Sequence, residues 1–159
     1  MKINTPMSSH VYEFPHGYIL KVKKEAKNPD LEYSMRRHCK KEYQKLTLIS
    51  RILETYQENQ AAQEVSVRSP IPIAVIEHTD DLHGFEKAPA LLMTQVPGQE
   101  ILLYSQLDDL KEKQTIYNNY AIALGKAFQI LSEQKLIHGD FRPRHTFYDH
   151  EKKIMSIID

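Results

Sequence analysis

A carboxylate set in the middle of an apolar helical stripe is the feature that most constrains this chain. Met35, Cys39, Glu42, Leu46, Ile49, Leu53 and Tyr56 recur at spacings of three and four, which places them along one side of an α-helix. Arg36, Arg37, Lys40, Lys41 and Lys45 occupy the other sides. One amphipathic helix is predicted, opened by Asn28-Pro29-Asp30 with Asp30 as its N-cap. Glu42 shares the stripe with Leu46 and Ile49, and a carboxylate on a buried helix edge is costly unless a cation meets it. Two arrangements satisfy it: a cation from another element, or a small helix rotation that returns the carboxylate to water.

The residues before this helix are β-prone. Val11, Tyr12 and Phe14, then Tyr18, Ile19, Leu20 and Val22, flank Pro15-His16-Gly17, a hairpin signal. Lys21 falls between Leu20 and Val22, so alternation turns it to the face opposite theirs. On these residues alone, a solvated lysine is the ordinary outcome. After the helix, 57–63 is polar and reads as a loop or frayed end. The β-prone stretches 65–67 and 71–76, interrupted by Pro70 and Pro72, are expected at sheet edges. Ala90-Leu91-Leu92-Met93-Thr94 reads as a central strand covered on both faces, and Gln95-Val96-Pro97-Gly98 ends it sharply. A charged helical piece over 107–114 precedes a core helix over 117–133. The latter carries Tyr120, Leu124, Ala127, Phe128, Ile130 and Leu131 at helical spacing, with Gly125 at an expected close contact.

Composition removes several classes of function. Apolar residues make up 41% and charged residues 26% of the 159, ordinary for a soluble globular domain. Lysine plus arginine and aspartate plus glutamate both number 21, so no global field draws the chain to nucleic acid or to an anionic membrane. Cys39 is the single cysteine, which excludes an internal disulfide and a cysteine-based zinc cluster. Its place in the helical stripe predicts a quiet structural thiol. The N-terminal residues lack the apolar core of a signal peptide, and no run approaches a membrane span. A cytoplasmic setting is the default expectation.

Chemistry gathers near the end of the sequence. Leu136-Ile137 runs into His138-Gly139-Asp140, a loop with Arg142, Arg144 and His145 follows, and Ile154-Met155-Ser156-Ile157-Ile158 delivers Asp159. Two carboxylates brought to one end of a strand pair suit phosphate and metal chemistry, because Mg²⁺ prefers hard oxygen ligands. The pattern resembles the catalytic loop and metal-binding segment of the aminoglycoside phosphotransferase and RIO-like branch of the protein-kinase-like superfamily. There it reads HGDxxxxN and then I-D-F or I-D-x-E; here His145 stands for the asparagine and Asp159 is the last residue.

That resemblance implies an α+β, two-lobed protein-kinase-like fold in a single domain over 1–159. An N-lobe of antiparallel strands plus one helix would span 1–94, a hinge 95–98, and an incomplete helical C-lobe 99–159. It implies ATP as substrate with Mg²⁺, and γ-phosphoryl transfer to a hydroxyl acceptor, either a small molecule or a protein serine or threonine. Lys21 would hold the phosphates and Glu42 would orient Lys21, with Glu32 as the alternative carboxylate. Asp140 would be the base facing the acceptor hydroxyl. Asp159 and His145 would occupy the metal-ligand positions, the imidazole being better suited to Mn²⁺ or to a phosphate than to Mg²⁺. His138 would brace the loop. Ser8 and Ser9 would line a glycine-free phosphate loop, Met93 would back the adenine pocket, and the main chain of Gln95 and Val96 would contact the base. The rival expectation is a nucleotide-binding or regulatory module of the same fold that does not turn over, or a truncated product. The glycine-free loop, His145 and the end at Asp159 favour it.

Overall fold

The computed structural model describes residues 2–3, 9–23, 29–58, 65–77, 88–136 and 142–158. They form an α+β structure whose elements group into two compact units, Met1–Leu48 with Ile71–Gln95 and Ile49–Pro70 with Val96–Asp159.

The first unit is built on an antiparallel sheet of β1 (Lys2–Ile3), β2 (Ser9–Phe14), β3 (Tyr18–Lys23), β6 (Ala90–Thr94) and β5 (Pro72–Ile76), in the order β1-β2-β3-β6-β5. The β2–β3 hairpin turns at Pro15-His16-Gly17, as the sequence predicts. His16 and Gly17 both take left-handed backbone angles, φ 67° and 79°, a conformation that glycine adopts freely and histidine tolerates. Pairing then runs from Phe14 opposite Tyr18 to Ser9 opposite Lys23. β6 lies between β3 and β5, which makes it the interior strand its apolar run predicts. Pro72 falls on β5 at the sheet edge, where its missing N–H costs no ladder bond.

Strand alternation sorts this sheet into two faces. Leu20, Val22, Ala88 and Ala90 are buried together with Tyr12, Ile76 and Leu92 packed against them. Ile19, Leu91, Met93 and Val75 point the other way and pack with Tyr43 and Leu46, which come from helix α1 (Pro29–Glu58). The helix begins at Pro29 rather than after a cap at Asp30, in keeping with proline's preference for the first helical position. It runs on through Gln57 and Glu58, so the start of the polar stretch 57–63 is the helix end, one of the two readings its sequence allows. Its stripe is as expected: Cys39, Leu46, Ile49 and Leu53 are all buried.

The second unit holds a mixed sheet of β4 (Ser66–Arg68), β9 (Ile154–Ile157), β8 (Thr146–Asp149) and β7 (Gln99–Glu100), with β4 parallel to β9 and the other pairs antiparallel. β4 therefore does not join the first sheet, and 49–70 group with the second unit rather than with the expected 1–94 lobe. A 3-10 helix at Ile101–Gln106 precedes α2 (Leu110–Glu133). The two expected helical pieces are one helix, because Ile116, Tyr120, Ala123, Ala127 and Ile130 carry an unbroken buried stripe across the presumed gap. Asp109 caps it, its Oδ1 accepting from the N–H of Lys111 at 2.8 Å and of Glu112 at 3.1 Å. The stripe leaves Phe128 half exposed at 49%, contrary to its predicted core position.

Two glycines have opposite roles. Gly98 sits at φ 86°, and a β-carbon there would run into the main chain of Tyr148 and Asp149. Gly125 lies in α2, where a β-carbon meets nothing within 4 Å among the described residues, so the expected close contact is not seen among them. Gly98→Ala is expected to destabilise by about 2–4 kcal/mol through backbone strain and overpacking. Gly125→Ala is expected to stabilise by about 0.5–1 kcal/mol. Thermal melts followed by circular dichroism should separate the pair, with midpoints moving in opposite directions; equal shifts would contradict this account.

Candidate functional site

The buried carboxylate of α1 finds its cation on the sheet. Lys21 shares the face of Ile19 by alternation, and this is the face that Tyr43 and Leu46 of α1 cover. Its Nζ donates to Oε1 of Glu42 at 2.7 Å. Two residues on, alternation brings Lys23 to the same face, and its Nζ donates to Oε2 of Glu42 at 3.2 Å. Each carboxylate oxygen thus has its own ammonium. The side chains of Lys21, Lys23 and Glu42 are only 12%, 7% and 10% exposed, so Glu42 is not rotated out to water. His38, one helical turn before Glu42, approaches Oε2 at 3.8 Å from a position that is 67% exposed.

Electrostatics follow from this geometry. Burial pushes the Glu42 carboxyl up, but Lys21 and then Lys23 outweigh it and hold the group below the usual glutamate range. Glu42 is therefore an anion at neutral pH. The neighbouring Cys39 thiol is raised above its ordinary value, first by burial and also by the Glu42 charge, against the opposing pull of Lys23 and Lys21. A buried thiol with a raised pKa is a poor nucleophile, which matches its expected structural role.

Lys23 is the member of this cluster that sequence reasoning missed. The signal was present: the alternation that turns Lys21 inward turns residue 23 inward as well. Its backbone is fixed on both sides, paired with Ser9 and donating its N–H to the carbonyl of Pro89 at 3.0 Å.

The other predicted site residues divide into three groups. Met93 is buried on the same sheet face as Lys21, paired with Ile19 and Pro72 in register. Gln95 donates its N–H to the carbonyl of Gly17 at 2.7 Å, which ties the end of β6 to the hairpin turn. That bond occupies the Gln95 amide. Val96 and His145 belong to the second unit. Asp140, Asp159 and Ser8 lie outside the described residues, as do His138 and the side chains of Ser9 and Glu32.

His145 is buried at the end of a 3-10 turn, Pro143–His145. Its N–H donates to the carbonyl of Arg142 at 2.8 Å, its carbonyl accepts from Ile158 at 2.9 Å, and its Nε2 accepts from Nε of Arg144 at 3.3 Å. Thr146 anchors the turn by donating its hydroxyl to the carbonyl of Pro143 at 2.7 Å. Since that uses the only hydroxyl proton of Thr146, Tyr120 is the donor in their 2.9 Å contact. The Arg144 guanidinium thus occupies Nε2 of the imidazole. Among the described residues, no group of three or more His, Cys, Asp and Glu side chains is arranged to hold a metal ion.

No protein-family model and no curated protein compared with the chain gives a match. Among the described residues, no helix is long and apolar enough to cross a membrane.

The cluster carries a pH signature. Because the folded-state pKa of Glu42 is depressed, its stabilisation is fully present above the unfolded value of about 4.3 and is lost as pH falls through the folded value. At pH 7, Glu42→Gln leaves two buried ammonium groups facing a neutral amide and is expected to cost about 3 kcal/mol. Urea midpoints measured from pH 3 to pH 7 should show a shallower acid decline in the variant. Parallel curves would remove Glu42 from the acid response.

Proposed function

We propose that the chain is a protein-kinase-like phosphotransferase that moves the γ-phosphoryl group of ATP to a hydroxyl acceptor. The observation that carries this reading is the nearly buried Lys21–Glu42 pair at 2.7 Å, reached from a strand and the helix that follows it. Three charged side chains under a helix stabilise little. What they do supply is an ammonium fixed in direction, which is what a triphosphate needs from a protein.

In this reading the first unit is the N-lobe, its antiparallel sheet and α1 framing the nucleotide, and 95–98 is the hinge into the C-lobe. Ser8 and Ser9 cover the phosphates. Met93 closes the back of the adenine pocket, and the carbonyl of Gln95 and the main chain of Val96 meet the base. Asp140 accepts the proton of the acceptor hydroxyl as the oxygen attacks. Mg²⁺, held through Asp159, would supply charge neutralisation at the phosphate oxygens. The acceptor is a small molecule or a protein serine or threonine, and a reducing, cytoplasmic setting suits both ATP and the lone thiol. A module that binds nucleotide without turning it over is the second reading. It is favoured by the guanidinium on Nε2 of His145, the nitrogen that would otherwise be offered to a second metal ion.

Thermal unfolding with ATP and Mg²⁺ tests nucleotide binding. At a ligand concentration 100 times Kd, linkage adds about 2.7 kcal/mol, or roughly 5–10 °C in Tm for a chain of this size. Lys21→Met is expected to abolish most of that shift. ATP turnover that is lost in Asp140→Ala supports the transferase, whereas binding without turnover in the unmodified chain supports the second reading. No shift with ATP would sink both.

A further inference from the structure

We propose that Arg144 is a specificity-determining residue for the acceptor: its guanidinium takes a carboxylate or phosphate carried by a small hydroxyl compound, and so selects an anionic acceptor. The inference rests on the phosphotransferase reading and names the substrate class of that site. It comes from the way the turn Pro143–His145 holds one arginine. Nε of Arg144 donates to Nε2 of His145 at 3.3 Å. His145 is buried and bonded through its main chain to Arg142 and to Ile158, whereas Arg144 is exposed. Among the described residues the guanidinium meets no second partner. One edge of it is therefore anchored on a buried ring, and Nη1 and Nη2 are left for a ligand. Their planar fork matches the paired oxygens of a carboxylate or phosphate, and an anchored fork loses less freedom on binding than a lysine does.

Placement decides which anion this is. Arg144 follows Asp140 by four residues, so their α-carbons lie within about 14 Å of each other. The bond from Ile158 to the carbonyl of His145 sets the same turn beside the residue that precedes Asp159. In the phosphotransferase reading, the acceptor oxygen forms its bond to the γ-phosphorus while Asp140 takes its proton. The bond to the β-phosphate oxygen breaks and ADP leaves. Lys21 and Mg²⁺ meet the nucleotide phosphates in that step, which leaves Arg144 to the acceptor. No aspartate or glutamate occurs over 141–148 to neutralise it, and a positive group beside the acceptor's base favours a negative acceptor over a neutral one.

NMR titration of the full chain with ADP·Mg²⁺ present tests the proposal, with D-glycerate and sn-glycerol 3-phosphate as anionic probes and glycerol as the neutral control. Both anions are expected to bind more tightly than glycerol and to shift the Nε–H resonance of Arg144. Binding of one anion alone also supports the proposal and identifies the group as carboxylate or phosphate. Arg144→Gln is expected to weaken anion binding about tenfold or more, while calorimetry shows ATP·Mg²⁺ binding unchanged. Arg144→Lys, which keeps the charge and loses the fork, should fall between the two. Anions that bind no better than glycerol overturn the proposal, and so does anion binding that Arg144→Gln leaves unchanged. An equal loss of ATP·Mg²⁺ binding in Arg144→Gln overturns it too, by assigning the guanidinium to the nucleotide. Should Arg144→Gln fail to fold, Arg144→Lys carries the comparison, and anion binding equal to that of the unmodified chain is then the overturning result. Failure of the unmodified chain to bind ATP·Mg²⁺ overturns the phosphotransferase reading itself, so the calorimetric and NMR titrations tell the two failures apart.

Discussion

The carboxylate of Glu42, enclosed between two lysines beneath a helix, is the interaction on which the first unit depends. Its enclosure is decided by packing rather than by charge. Cys39 and Leu46, three residues before and four after Glu42, are both buried, so turning the helix to release the carboxylate would lift both from the core. Burial of one large apolar side chain is worth about 1.5–3 kcal/mol. A nearly buried ion pair gains a few kcal/mol of Coulomb energy at intermediate dielectric and returns most of it as desolvation. The helix therefore stays where its apolar stripe puts it, and the cations must come to Glu42.

Strand register is what brings them. Lys21 lies opposite Val11 on one side and Leu91 on the other, while Leu20 lies opposite Tyr12 and Leu92. A slip of one residue would exchange the two sets, sending Leu20 and Val22 toward the helix and both lysines to the other face. The tight turn at His16-Gly17 and the bond from Gln95 to Gly17 fix the start of that register. Hairpin geometry, helix rotation and the charge cluster thus constrain one another, and consistency of this kind lets a short unit specify one arrangement.

Local periodicity made much of this legible before any coordinates. The hairpin, the interior strand with Leu91 and Met93 and the long helix follow from alternation or from spacings of three and four, whereas the pairing of Glu42 with Lys21 is what the resemblance implies and not what periodicity alone gives. Lys23 escaped because Lys21 was treated as a single lysine and not as the first of two on one face. The remaining misreadings have non-local causes. β4 pairs in parallel with β9, Ser66 opposite Ile154, and no local pattern reports a partner so far along the chain. Phe128 belongs to a helical series with Leu124, yet the neighbours of α2 select Ala123, Ala127 and Ile130 for burial. Gly125 looked like a packing device, and the space beside it is open among the described residues. Of the chemistry expected at Asp140 and Asp159, only the flanking frame lies within the described residues: the turn at Pro143–His145 and the bond from Ile158 to His145.

A purely structural reason for three charges at this position is weak on energetic grounds. The sheet face under α1 is otherwise filled by Ile19, Leu91, Met93 and Val75, and apolar side chains in place of the ionic group would pack as well without a desolvation cost. Stability alone therefore favours removing the cluster. What an apolar replacement cannot provide is an ammonium whose direction is set by the backbone of a paired strand and by a carboxylate on a packed helix. An ammonium so held is suited to meet an anion, and the energetic disadvantage of the cluster supports the phosphate-binding role proposed for it.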